Sequence, residues 1–183
     1  MPKLSIVVPC YNEEETIPLF YPAVEKVVKQ MPVDTEYWFV NDGSNDGTLA
    51  ELRKLHEQDP ERVHYVSFSR NFGKEAGLYA GLQAATGDYV VVMDADLQDP
   101  PEYLPEMYRA ISTGEYDCVG MRRTDRKGEA KFKSFLSNQF YNVINKISDT
   151  KIVSGARDYR MMTRQLVDAV LSLTEYNRFS KGI

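Results

Sequence analysis

Apolar residues in this chain fall in short, nearly unbroken runs, and three of those runs stop at acidic clusters. Ile6-Val7-Val8-Pro9 leads to Tyr11-Asn12-Glu13-Glu14-Glu15, Tyr37-Trp38-Phe39-Val40 to Asn41-Asp42-Gly43-Ser44, and Val90-Val91-Val92-Met93 to Asp94-Ala95-Asp96. Such β-rich, continuously hydrophobic segments are those of strands covered on both faces in a parallel sheet. Between them the period changes to that of helices. Ile17, Phe20, Val24, Val27 and Val28 recur on one face, with Asn12 expected as the cap and Glu13 to Glu15 in the first turn. Thr48 opens a second helix carrying Leu49, Leu52 and Leu55, and Val63 to Phe68 forms a third strand. A small-residue helix then follows Arg70-Asn71-Phe72-Gly73-Lys74 and ends near Gly87. This alternation specifies an α/β fold with a doubly wound, mostly parallel sheet. Ligands of such sheets bind beyond the carboxyl ends of the strands, so all three acidic clusters are expected at one edge.

After Pro100-Pro101, a helix around Tyr103 to Ile111 and a strand from Tyr116 to Gly120 precede a basic concentration of Arg122, Arg123, Arg126, Lys127, Lys131 and Lys133. Phe132, Phe135, Leu136, Phe140, Val143, Ile144 and Ile147 mark an amphipathic helix whose stripe suits either a core or a membrane interface. Ser154 to Met162 reads as a turn and short strand, and Thr163 as the cap of a last helix through about Leu173.

The length of 183 residues and a hydrophobic fraction of 43% are those of a single globular domain with a real core. A net charge of -5 gives no global attraction to nucleic acid, which is excluded as a partner. Cys10 and Cys118 lie on separate strands without metal-type spacing and read as small core residues in a reducing compartment. His56 and His64 have no acidic neighbour in sequence and read as satisfied packing residues. The chain enters a strand at once, and no apolar run approaches the roughly 18 to 20 residues that cross a bilayer, so a cytosolic setting is expected.

The candidate chemistry lies at the strand ends. In an extended segment Asp94 and Asp96 point to the same side, with Ala95 leaving room on the other, and two such carboxylates suit Mg2+ or Mn2+ completed by water and substrate phosphates. The plainer alternative is one Asp capping the next turn and the other solvated. Asp42 is placed to accept hydrogen bonds from a base or ribose, or to bond its own backbone in an Asp-Gly-Ser turn. Tyr11 can stack on a ring and Glu13 bond a sugar or base, against ordinary capping, while Glu14 and Glu15 are expected in solvent. Lys74 and the backbone before it can meet phosphate, or Gly73 simply relieves a tight turn.

Taken together, Val8 to Glu14, Val40 to Thr48, Arg70 to Glu75, Met93 to Glu102 and Ser154 to Arg160 resemble a family 2 glycosyltransferase of the GT-A fold. The similarity is to its polyprenyl-phosphate branch, which includes dolichol-phosphate mannose synthase and GtrB-like enzymes. The resemblance implies inverting transfer of a sugar from a nucleotide diphosphate donor to a polyprenyl phosphate at the cytoplasmic face of the membrane. UDP-glucose or UDP-N-acetylglucosamine is favoured over GDP-mannose on family association. By the same likeness Pro9, Tyr11, Glu13 and Asp42 hold the nucleoside, and Asp94, Asp96 and Gln98 hold metal and diphosphate. Asp158 matches the acidic residue near the acceptor, as base or positioning group, or pairs with Arg157 or Arg160. Arg122, Arg123, Arg126, Lys131 and Arg160 become candidates for the acceptor phosphate. The nucleotide-binding half is then about 1–100 and the acceptor half about 101–183. Members generally continue into hydrophobic membrane helices, so a piece of a longer protein is expected, the alternative being a compact form that needs a partner for membrane attachment; the oligomeric state is left open.

Competing readings fit less well. A sugar nucleotidyltransferase wants a glycine-rich basic loop after the first strand, and a dinucleotide oxidoreductase wants G-x-G-x-x-G. A non-catalytic nucleotide-sugar or metal-binding module, or a transferase acting on a cell-wall or surface polysaccharide, remains as an alternative.

Overall fold

The computed structural model describes residues 1–122 and 156–173. The chain forms β1 (Lys3–Cys10), α1 (Ile17–Val28), β2 (Asp34–Asn41), α2 (Thr48–Gln58), β3 (Val63–Ser67), α3 (Lys74–Ala84) and β4 (Tyr89–Val92). A 3-10 turn (Pro101–Tyr103) then runs into α4 (Leu104–Ile111), followed by β5 (Cys118–Arg122), β6 (Ala156–Thr163) and α5 (Arg164–Ser172). The sheet order is β3-β2-β1-β4-β6-β5. β1 to β4 run parallel, and β6 runs against both of its neighbours. Strand order reverses beside β1, which opens the crevice where doubly wound folds take ligands.

The unbroken hydrophobicity of the strands is explained by cover on both faces. Ile6, Val8 and Val91 join Phe20, Leu52 and Met107 in the core under α1, α2 and α4. Val7, Val90 and Val92 turn the other way and meet Leu78, Leu82 and Val167 of α3 and α5. Small residues let α3 lie close, since a Cβ on Gly81 would come within 2.3 Å of Val7 Cγ1. Thr163 caps α5 as expected, its Oγ1 accepting the Leu166 N–H at 3.3 Å. The histidines pack as read, with His56 Nδ1 2.6 Å from the Val63 carbonyl and the His64 ring 4.6 Å from that of Trp38.

Three local expectations are corrected. Helix α1 begins at Ile17 rather than after Asn12, which has a left-handed φ of 57°. Glu14 is not merely solvated, because its carboxylate accepts the Gly47 N–H at 2.6 Å. Cys118 is exposed rather than in the core, since it sits on the outermost strand of the sheet. Arg123, Arg126, Lys131, the amphipathic helix expected around residues 132–147 and the side chains of Arg122 and Arg157 lie outside the described residues. At the carboxyl edge the end of β5 meets the start of β6, with Arg122 in register with Ala156.

Candidate active site

Two turns at the carboxyl edge are laced together before any ligand is considered. Asn12 N donates to Ser44 Oγ at 3.0 Å, Glu13 N to Thr48 Oγ1 at 2.7 Å, and Asn45 N to Asn12 Oδ1 at 2.9 Å. The first two satisfy backbone donors of the residues before α1 and the third one of the loop after β2, and together they account for the late start of that helix. They also fix Tyr11 and Glu13 at the mouth of the crevice.

Asp42 makes contacts between loops that its sequence did not suggest. It is 4% exposed. Its Oδ1 accepts the Phe72 N–H at 2.6 Å and its Oδ2 the Gly73 N–H at 2.9 Å. The carboxylate therefore clamps the Arg70–Gly73 loop while still lining the cavity. Gly43 makes the clamp possible. Its φ is +64°, and a Cβ there would lie 2.2 Å from the Arg70 carbonyl carbon.

The cavity encloses about 320 Å³ and is lined by Pro9, Tyr11, Glu13, Asp42, Lys74, Asp94 and Asp96, with Cys10, Asn71, Gly73 and Ala95 completing it. Residues from four separate loops thus converge as the spacing of the strand ends requires. Ala95 is 1% exposed and belongs to the core, which leaves Asp94 and Asp96 turned to the cavity on either side of it. Asp96 also fulfils the plainer expectation, because its Oδ1 accepts the Gln98 N–H at 3.0 Å and closes the turn. Gln98 stands outside the cavity lining. Burial pushes the Cys10 thiol upward, and the Glu13 and Asp94 carboxylates add to the effect, so Cys10 stays a neutral thiol.

Lys74 ties this cavity to the antiparallel strand. Its Nζ lies 2.7 Å from Asp94 Oδ1 and 2.8 Å from Asp158 Oδ2. Partial burial alone would lower the Lys74 pKa, but hydrogen bonds to Asp158 and Asp94 outweigh it and raise the value. Asp158 is paired with Arg160 as well, at 3.7 Å. Beside Asp158 an apolar groove opens between α3 and α5, lined by Leu78, Leu82, Val92, Met162, Leu166 and Val170. Sequence reasoning missed the Lys74–Asp158 contact and the loop clamp by Asp42. Neither leaves a local signal, since the partners are 84 and about 30 residues apart.

A doubly wound sheet with its acidic strand ends gathered on one cavity defines the GT-A class of nucleotide-sugar-dependent folds. The solved structures agree on the fold. A mannosyltransferase from Pyrobaculum calidifontis in complex with GDP-Man and Mn2+ superposes with a TM-score of 0.60 at 24% identity, over 92% of this chain and 46% of that one. Glucosyl-3-phosphoglycerate synthase from Mycobacterium tuberculosis, in complex with Mn2+, UDP-glucose and phosphoglyceric acid, gives 0.60 at 21% identity over 90% and 57%.

The chain belongs to glycosyl transferase family 2, whose sequence model matches residues 5–171. It is 43% identical over 180 residues to the putative glycosyltransferase CsbB of Bacillus subtilis, covering 98% of this chain and 54% of that protein. It is also 43% identical over 181 residues to the bactoprenol glucosyl transferase of Shigella phage SfX, covering 99% and 59%. The chain thus spans a little over half the length of these relatives. Among the described residues no helix is long and apolar enough to cross a membrane.

Proposed function

We propose that the protein is an inverting glycosyltransferase that moves a sugar, glucose from UDP-glucose in the first instance, to a polyprenyl phosphate at the cytoplasmic face of the membrane. The observation that carries this reading is the convergence of Asp42, Asp94 and Asp96 with Tyr11 and Glu13 on one cavity, one lysine away from Asp158. The likeness to a bactoprenol glucosyl transferase supports both the sugar and the acceptor class.

Tyr11 is 45% exposed and offers a ring face to the base, with Pro9 beneath the same site. Glu13 contributes a carboxylate toward the sugar, and Asp42 keeps the Arg70–Gly73 loop at the width the nucleotide needs. The donor set fits a divalent ion. Asp94 and Asp96 are hard oxygen ligands on one cavity, and the Lys74 ammonium already sits where Asp94 favours positive charge. Among the described residues no group of three acidic, histidine or cysteine side chains forms a metal cage, which suits an ion that takes the rest of its shell from diphosphate and water. Asp94 and Asp96 would hold Mg2+ or Mn2+, which would supply charge neutralisation for the leaving diphosphate. Gln98 supports the Asp96 turn through its backbone.

A polyprenyl phosphate is already anionic at neutral pH, so Asp158 has no obligatory proton to remove. It orients the acceptor or the sugar from the start of β6. The apolar groove beside it suits the hydrocarbon of such an acceptor, and Arg122, Arg123, Arg126 and Lys131 supply positive charge for its phosphate.

The test combines binding and turnover. A thermal-shift panel of UDP-glucose, UDP-N-acetylglucosamine and GDP-mannose, each with Mn2+, is expected to show metal-dependent stabilisation by the UDP sugars; a donor at one hundred times its dissociation constant adds roughly 2.7 kcal/mol. Nucleotide diphosphate release is expected only when a polyprenyl phosphate is added. No manganese-dependent binding of any donor overturns the donor side of the reading, and donor binding without acceptor-dependent release by the full-length protein overturns its acceptor side.

A further inference from the structure

Lys74 sits where the two halves of the proposed reaction meet. Asp94 belongs to the donor side and Asp158 to the acceptor side, and the one ammonium lies within 2.8 Å of both. The three residues come from the first turn of α3, the end of β4 and the start of β6, so nothing in the local chain draws them together. Among the described residues Lys74 is the cation paired with Asp94.

We propose that Lys74 is a displaceable counter-ion. It occupies the position between Asp94 and Asp158 in the ligand-free site, and it is handed to the donor's diphosphate when metal and nucleotide arrive together. The inference rests on the functional reading above and extends it to the order in which the site is assembled.

Three physical points carry it. A divalent ion held by Asp94 and an ammonium 2.7 Å from the same carboxylate repel strongly, so the two cannot keep the same face of Asp94. Metal arriving alone must evict the lysine with no anion to receive it. Metal arriving with a diphosphate brings that anion with it, so the two ligands favour each other's binding, and by linkage they do so reciprocally.

The second point is the side chain itself. Lysine is a compact point charge on a flexible four-carbon stem, and this one is 41% exposed, so it can swing while the start of α3 stays in place. The third is the consequence for Asp158. When Lys74 moves, Asp158 loses its 2.8 Å contact with that ammonium, so the change on the donor side is felt on the acceptor side. Lys74 is thus a positioning residue that couples the acceptor side to the filling of the donor side.

The experiment measures Mn2+ binding by electron paramagnetic resonance of the free ion, first with Mn2+ alone and then with Mn2+ and UDP. Wild-type protein, Lys74→Met and Lys74→Arg are compared, with thermal unfolding recorded for each. Wild type is expected to bind Mn2+ weakly alone and on the order of tenfold more tightly with UDP. Lys74→Met is expected to bind Mn2+ alone about tenfold more tightly than wild type and to gain much less from UDP. Lys74→Arg, which keeps the charge, is expected to restore weak binding of the lone ion. A folded Lys74→Met protein whose affinity for lone Mn2+ equals or falls below that of wild type overturns the displacement, including the case in which only its melting temperature drops. Failure of the functional reading looks different: wild type itself then takes up no Mn2+ with UDP or GDP.

Discussion

The two edges of the sheet both gather acids and treat them in opposite ways. At the amino edge Glu36 is 2% exposed and saturated. It accepts Ser5 Oγ at 2.6 Å and the Thr86 N–H at 2.8 Å, and pairs with Lys3 Nζ at 2.5 Å. Burial opposes its ionisation, but hydrogen bonds from Lys3, Ser5 and Thr86 outweigh that and bring its pKa to about 2. Glu25, arriving from the far end of α1, is closed off by Arg62 and by the Tyr37 hydroxyl at 2.8 Å. Burial and Glu25 push the Tyr37 pKa upward, which keeps it a donor. At the carboxyl edge Asp94 and Asp158 lean on one partly exposed lysine, and Asp96 is engaged by a turn N–H. Acids whose lone pairs are filled from all sides hold strands together. Acids that open on a cavity with a mobile cation between them are poised to exchange it.

Glu36→Ala tests the structural side of that contrast with the largest expected effect. Leaving Ser5, Thr86 and Lys3 without their acceptor costs about 3 kcal/mol, which lowers the melting temperature of a domain this size by roughly 6 to 12 °C. Donor binding below the transition is expected to be unchanged; loss of binding in a folded variant breaks the contrast. The same residue fixes an acid response. Its folded pKa lies below the unfolded value of 4.5, so its contribution is complete above that pH and is lost as pH falls toward about 2. Melting temperatures of wild type are expected to fall more steeply across this window than those of Glu36→Gln.

Asp94→Asn tests the other edge. It is expected to cut sugar transfer by on the order of a hundredfold or more while shifting the melting temperature little. A matching loss of stability shows that Asp94 is structural after all. Asp42→Asn has a smaller effect of mixed kind: an amide sets its NH2 against one of the Phe72 and Gly73 N–H groups that the two carboxylate oxygens accept, so the loop loosens by about 1 to 3 kcal/mol and donor affinity falls about tenfold. Glu14→Ala removes one exposed lacing bond and is expected to cost only about 1 kcal/mol, read by denaturant unfolding.

How far this was legible depends on whether a feature is local. The strands could be read because Ile6 to Val8 and Val90 to Val92 are covered on both faces, and continuous hydrophobicity records that directly. The convergence of Asp42, Asp94 and Asp96 followed from topology, since parallel strands end at one edge. The start of α1 was misjudged because Asn12 and Glu14 serve the neighbouring loop across more than 30 residues, and their capping chemistry looks the same in sequence whichever backbone it satisfies. Cys118 was misplaced because an edge strand carries the same short apolar pattern as a central one. The Lys74 link to Asp158 had no trace in either segment, for it exists only where an antiparallel strand is inserted beside β4.

That inserted strand has an architectural consequence. The end of β5 and the start of β6 face each other at one rim of the sheet, Arg122 in register with Ala156. Asp158 is therefore delivered to Lys74 on a strand braced along both of its sides, by β4 and by β5, rather than on a loop.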